Sequence, residues 1–426
     1  MFHIGWASVD ITPSGPVWLG GYAARYKPSE GIHDPIYVKV CFLFNGITEV
    51  ALVACDLIAL SLPQVEAIRS KIMKVCGVER VIVGATHTHS APISCLQLQW
   101  GNAVMDMHWL SNIADSAAQA VEWAKQSATP AKLYAVITRQ CDVAKNRRPG
   151  EVIADHELSV LRAVHEDGQT GFIVNYACHG TVLDASNYLI SADFPGYLYS
   201  GIQERFSTEH TLFFNGACAD VNLGYSADAS AMGVNMGELR SFKNAEHQAQ
   251  LLINAIEDAM GTSVELEPDL TFIDVPLLLP VNEDLPKLVE VADELDKLRQ
   301  SDKNDTDTEM RKIYLMALLR NIEVYCPCGE RVIKAESHLL GIGKVLIVTV
   351  PGELFCEIGM YIKDLFRENW MPVIFGYSDG YFGYIPSNRA FQLGGYECET
   401  SIYSHNIEQY LKYLYTDLAS KLTRKG

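Results

Sequence analysis

A layered single α/β domain, with mixed β-sheets packed by helices, is the fold class this sequence predicts. Three observations point to it. Short apolar runs alternate with segments of helical period along the chain. The 426 residues carry an ordinary globular balance, 48% hydrophobic and 20% charged, enough to bury a sizeable core. Neither a Pro- or Ser-rich linker nor an internal repeat divides the chain, so one continuous domain over 1–426 is the simpler organisation.

Val38 to Phe44 and Val50 to Cys55 are apolar runs separated by Asn45-Gly46, the strongest short hairpin signal. Ser61 and Gln64 then form a capping-box pattern, and Val65, Ile68, Ile72 and Val75 follow at helical spacing. Arg80 to Ala85 is an apolar strand that delivers Thr86-His87-Thr88-His89-Ser90. Leu158 to Val164 and Gly171 to Cys178 flank Glu166-Asp167-Gly168 and read as a second hairpin ending at His179. Asn215 to Asp220 reads as a strand-to-turn element whose small residues permit a close approach or simply a tight turn. Lys344 to Val350 is a buried strand, with Gly341-Ile342-Gly343 as the turn before it. Glu353 is expected to open a helix with Leu354, Ile358, Tyr361 and Leu365 on one face. The charged segment Val281 to Arg320, broken at Ser301 to Thr308, reads as a helical hairpin inserted at the surface, or a lid.

Charge excludes some function classes. Lys and Arg number 34 against 52 Asp and Glu, a formal net charge of −18 with no basic stripe. Such a surface repels phosphate backbones and anionic membranes. No run approaches the 18 to 20 apolar residues that roughly span a bilayer. The N-terminal MFHIGWASVDITP has neither the basic region nor the apolar core of a secretory signal, and the 11 cysteines are scattered. The expectation is a cytoplasmic protein with reduced thiols.

Three of the apolar strands end in metal-binding residue types: His87-Thr88-His89, His179 and Glu353. On an extended backbone His87 and His89 face one space, and imidazoles with a carboxylate suit Zn²⁺. Taken singly, His179 is a satisfied core or capping residue, and Glu353 a first-turn helix carboxylate favoured by the helix dipole. The remaining histidines have no such setting. Cys326-Pro327-Cys328 lacks a second Cys pair and reads as a structural thiol pair. Ser90 lacks the Gly-x-Ser-x-Gly elbow of a serine hydrolase.

In order along the chain, GWASVDITP (Gly5 to Pro13), GATHTHSAP (Gly84 to Pro92), NRRP (Asn146 to Pro149), NYACHGT (Asn175 to Thr181), PGEL (Pro351 to Leu354) and the stretch Gly376 to Glu397 resemble the catalytic N-terminal domain of the neutral/alkaline non-lysosomal ceramidases. The resemblance implies a zinc-dependent hydrolase of linear amides, with one Zn²⁺ held by His87, His179, Glu353 and Tyr384. Tyr384 is the second tyrosine of Tyr381-Phe382-Gly383-Tyr384. It also implies that His89 faces the substrate without ligating, and that Arg147 and Tyr396 lie at the scissile amide. This revises the reading from the residues alone, in which both His87 and His89 ligate. Two imidazoles, a carboxylate and a phenol would leave the metal a strong Lewis acid, able to lower the pKa of bound water to about 7. Arg147 and Tyr396 would stabilise the oxyanion, His89 would shuttle the proton, and Asp56 would orient a ligand histidine.

The sequence also departs from that pattern. Asn222 stands where the family has a serine beside the active site, and the proline after it is absent. The chain ends soon after the catalytic region, without the C-terminal β-sandwich and secretory features of full-length ceramidases. These departures point to an N-acyl or lipid-like substrate smaller or more polar than ceramide. The alternatives are an ester or lactone hydrolase using the same metal water, and a catalytically silent protein that binds a metal or ligand.

Overall fold

Strands whose two faces are both apolar must be covered twice, and this requirement organises the protein. In Tyr37–Phe44, Val38, Val40 and Phe42 point into one buried cluster while Cys41 and Leu43 point into another. The computed structural model describes residues 1–301, 303 and 305–422. It places that strand in a nine-stranded mixed sheet, flanked by Phe2–Asp10 and Glu49–Cys55, with Val81–Ala85 at one edge and Thr211–Asn215 at the other. Asn45-Gly46 closes the hairpin between Tyr37–Phe44 and Glu49–Cys55, with Gly46 at φ +94°. Gln64 Oε1 accepts the Ser61 backbone N–H at 2.7 Å at the start of helix Leu62–Cys76, and Gly77 ends that helix at φ +69°.

A second, four-stranded sheet runs in the order Leu270–Pro280, Val332–Ile342, Val345–Thr349, Met371–Phe375. Its inner face (Leu340, Ile347, Val373, Phe375) packs on Ile4, Leu52, Ile82 and Phe214 of the first sheet. Phe214 and Phe375 stack with centroids 4.1 Å apart. Helices Leu62–Cys76 and Ile113–Gln126, and further along Phe194–Phe206 and Phe242–Ala259, cover the outer face of the large sheet. Cys356–Phe366 and Ile407–Lys421 cover that of the small one. The result is four layers, helix–sheet–sheet–helix, in agreement with the predicted class.

The charged segment does form two helices, Leu288–Gln300 and Thr306–Tyr325. Residues 302 and 304 of the predicted break, and 423–426 at the end of the predicted domain, lie outside the described residues. The pair connects two antiparallel neighbours of the small sheet. It is more than a surface appendage, because Met310, Ile313 and Ala317 are buried against Trp100 and Ala231. One expectation fails. Glu353 does not open a helix: Glu353–Leu354 is a two-residue strand paired in parallel with Tyr384–Ile385, and the helix begins at Cys356. Pairing with a distant segment overrides the local helical pattern there.

Candidate metal centre

Five strands bring their carboxyl ends to one region: Val81–Ala85, Thr170–Tyr176 and Thr211–Asn215 from the large sheet, and Val345–Thr349 and Met371–Phe375 from the small one. The loops that follow carry His87, His179, Cys218, Glu353 and Tyr377. Backbone bridges tie these loops together, Thr88 with Gly180 and Gly84 with Ser378. Small residues make the approach possible. A Cβ on Gly216 would lie 2.9 Å from that of Ala177, and one on Gly376 would lie 2.4 Å from the Gly216 carbonyl. What Asn215 to Asp220 admits is thus neighbouring backbone.

His87 and His179 are oriented by carbonyl oxygens. His87 Nδ1 lies 2.6 Å from the Ile58 carbonyl, and His179 Nδ1 lies 2.6 Å from that of Cys218. A carbonyl only accepts, so each ring carries its proton on Nδ1 and turns the lone pair of Nε2 inward. Both lone pairs meet Glu353 Oε2, at 3.5 Å from His87 and 3.2 Å from His179. All three residues are about 1% exposed or less, and His179 Nε2 is a buried atom without a hydrogen-bond partner. Burial, foremost, lowers the pKa of His87 to about 3 and holds His179 well below the usual imidazole range. Two imidazole lone pairs and a carboxylate oxygen converging on one buried point fit a divalent cation.

Glu353 is itself braced. Tyr381 donates to its Oε1 at 2.6 Å and Tyr377 to its Oε2 at 3.2 Å. Tyr377 also stacks on His87, with centroids 3.9 Å apart. Tyr384 is the register partner of Glu353, and its hydroxyl accepts from Arg147 Nη2 at 3.2 Å. Arg147 is buried, and its Nε donates to Glu397 Oε1 at 2.8 Å. Arg148 Nη1 donates to the other Glu397 oxygen at 2.9 Å. Burial works against the Arg147 charge, but Tyr384, Glu397 and Glu353 more than offset it and raise its pKa further. Tyr396 packs edge-on to Tyr384, centroids 5.8 Å apart.

His89 lies beside the donor set. Its Nε2 is 3.3 Å from His87 Nε2, and its Nδ1 is buried without a partner. The rings converge for a reason other than the predicted one: His87 adopts φ +65°, so the segment is not extended. A histidine in that region is strained, as functional residues often are. His87, His89, Arg147, Glu353, Tyr381, Tyr384 and Tyr396 line one small pocket of about 50 Å³. Gly21, Gln97, Trp100 and Thr181 line it too, with Ala317 and Asn321 of the second helix of the charged pair.

His87, His89, Arg147, His179, Glu353, Tyr384 and Tyr396 therefore all reach this region, whereas Asp56, also predicted to serve it, does not. Asp56 accepts from Tyr199 and from the Tyr37 backbone, 2.9 and 3.0 Å away, and the two carbonyls do the orienting expected of it. Asn222 closes a local turn, accepting from the Gly224 and Tyr225 N–H groups and donating to the Tyr225 carbonyl. Ser90 accepts from Asn187 and is fully buried. Sequence reasoning missed Tyr377 and Glu397 as braces. The position of Glu397 beside Tyr396 was the available signal.

Comparison with known proteins agrees with this architecture. Residues 2–227, just over half of the chain, match the family model of the neutral/alkaline non-lysosomal ceramidase N-terminal domain. The rice (Oryza sativa subsp. japonica) neutral ceramidase is 24% identical over 225 residues, which cover 46% of this chain and only 28% of the rice protein. The crystal structure of neutral ceramidase from Pseudomonas aeruginosa superposes with a TM-score of 0.75 at 17% identity, over 100% of this chain and 75% of that one. A ceramidase complexed with C2 gives 0.74 at 17% identity, over 99% of this chain and 75% of the other. The fold is that of the ceramidases, a mixed α/β architecture. The chain belongs to the neutral/alkaline non-lysosomal ceramidase family.

Proposed function

We propose that this protein is a zinc-dependent hydrolase of a linear N-acyl amide, and that His87, His179, Glu353 and Tyr384 hold the metal. The observation that carries the reading is the convergence of two Nε2 lone pairs and a carboxylate oxygen within 3.5 Å in a buried site. A bound zinc would supply Lewis acidity and an activated water. His87 and His179 serve as neutral imidazoles fixed by the Ile58 and Cys218 carbonyls. Glu353 contributes the negative charge, shared with the Tyr377 and Tyr381 hydroxyls.

His89 is assigned as a proton carrier rather than a ligand. Among the three histidines it is the most exposed, at 8%, and it lines the pocket with a partnerless Nδ1, whereas His179 is at 0% behind the others. It would accept the water proton and return it to the departing amine. Arg147 and Tyr396 would donate to the carbonyl oxygen as it gains charge. Glu397 holds Arg147 in place beside the pocket. A pocket of about 50 Å³ lies far below the roughly 300–1,000 Å³ of a drug-sized site. This supports a compact acyl amide, smaller or more polar than ceramide. All 11 cysteines are unpaired thiols, most of them buried, which supports the proposal of a reducing, cytoplasmic setting. No helix among the described residues is long and apolar enough to cross a membrane.

The test is zinc stoichiometry combined with a turnover screen of N-acyl amides and esters of graded chain length. Amide turnover that disappears with the pocket zinc in Glu353→Ala, while the fold survives, is the expected result. Ester-only turnover would reassign the reaction. Full zinc content with no turnover of either class would make the protein a binder.

A further inference from the structure

A second group of side chains, outside the pocket lining, follows the same logic. Asp274 and His338 are direct cross-strand partners in the ladder between Leu270–Pro280 and Val332–Ile342, and Glu336 lies two residues from His338. Period-two alternation therefore puts all three on one face. His338 is 3% exposed. Its Nδ1 lies 2.8 Å from Asp379 Oδ2, while the other Asp379 oxygen accepts from Arg69 at 2.8 Å and from the Val83 N–H at 3.0 Å. Arg69 Nη2 also approaches that Nδ1, at 3.4 Å, but the shorter carboxylate contact places the proton on Nδ1. The inward-held ring then presents Nε2 to Glu336 Oε2 at 3.4 Å and to Asp274 Oδ1 at 3.6 Å, and no hydrogen bond joins them.

Those separations have a physical meaning. Two ligands about 2.1 Å from one ion, at a tetrahedral angle, stand about 3.4 Å apart. Charge agrees as well. Arg69 pairs with Asp379 at 2.8 Å and more loosely with Glu336 at 3.4 Å, so its single charge offsets one of the three carboxylates Asp274, Glu336 and Asp379 and leaves two negative charges beside the His338 ring. Carboxylate-to-histidine pairing of the Asp379 kind is what fixes a metal-binding ring. Asp274 and Glu336 have side chains 67% and 41% exposed, which leaves water free to complete the coordination.

We propose that Asp274, Glu336 and His338 form a second divalent-cation site, suited to Zn²⁺, with Asp379 orienting His338. The loop that supplies Asp379 also supplies Tyr377 and Tyr381, so the ion would fasten the same segment that braces Glu353. The proposal stands independently of the hydrolase reading.

Titration with Zn²⁺ alone, read by elemental analysis after desalting, tests it. Wild-type protein should retain two equivalents, and Asp274→Asn and Glu336→Gln one each. Glu353→Ala should keep one equivalent and still gain melting temperature with zinc, whereas Glu353→Ala combined with Asp274→Asn should keep none and gain nothing. Equal zinc in the wild type and in both Asp274→Asn and Glu336→Gln would overturn the site and leave His338 in a metal-free network with its carboxylate neighbours. Failure of the pocket site alone would still leave the wild type one equivalent above Asp274→Asn.

Discussion

Replacing Tyr381 by Phe removes one oxygen from the protein and one hydrogen bond from the proposed metal ligand. The hydroxyl donates to Glu353 Oε1 at 2.6 Å, between two fully buried side chains. A hydrogen bond to a charged group is worth about 1.5–3 kcal/mol. If that energy holds Glu353 in its ligating rotamer, zinc affinity should fall about 10- to 100-fold, the range seen when outer partners of metal ligands are removed. The two magnitudes agree, since 1.4 kcal/mol is about tenfold. Tyr377→Phe removes a longer contact, 3.2 Å, and should cost less, although it also alters the ring face stacked on His87. Competition with a chelator of known affinity measures both dissociation constants, and turnover at saturating zinc separates binding from chemistry. Zinc affinity within about threefold of wild type in Tyr381→Phe would refute the idea that these hydroxyls position a ligand.

Three further outcomes are expected. His89→Ala should keep its zinc while turnover falls about 10²–10⁴-fold, and metal loss would return His89 to the ligand set. Gly21→Ala would place a Cβ 2.2 Å from His89 Nδ1 at a φ of +92°. It should displace that ring and cost about 10²-fold in kcat with zinc content unchanged; unaltered kcat would show that the ring position is unimportant. Burial raises the Glu157 pKa, but Lys363, Arg139 and Arg367 overcome it and bring it down to about 2. With the folded value below the unfolded one, this stabilisation is complete above about pH 4.3 and is lost as pH falls toward 2. The stability gap between wild type and Glu157→Gln should therefore shrink by more than about 1 kcal/mol between pH 6 and pH 3 in denaturant titrations. A constant gap would refute the assignment.

Legibility in the sequence followed the range of the interactions. Asn45-Gly46 and Ser61 with Gln64 act over a few residues, and both appear where their patterns place them. Polar residues at the ends of apolar strands were equally visible, which is why His87, His179 and Glu353 could be picked out before their convergence was known. Long-range pairing left no such mark. The two-residue strand at Glu353 exists only because Tyr384 and Ile385 lie beside it. Leu270–Pro280 carries Pro276 and Pro280, which argue against a strand, yet it lies at the edge of its sheet where a missing N–H is tolerated. The donors that orient His87 and His179 are main-chain carbonyls, invisible in any residue pattern, so a nearby carboxylate, Asp56, was assigned their role.

The wall contributed by Thr306–Tyr325 separates two tasks that many enzymes combine. The histidines and Glu353 come from sheet ends locked by buried backbone, where an altered residue disturbs everything around it. Ala317 and Asn321 come from a helix that reaches over the opening from elsewhere. Enlarging Ala317 would therefore alter the opening of the proposed site without touching the proposed metal ligands, whereas Asn321 also holds the Thr400 carbonyl at 2.8 Å and is less free to change.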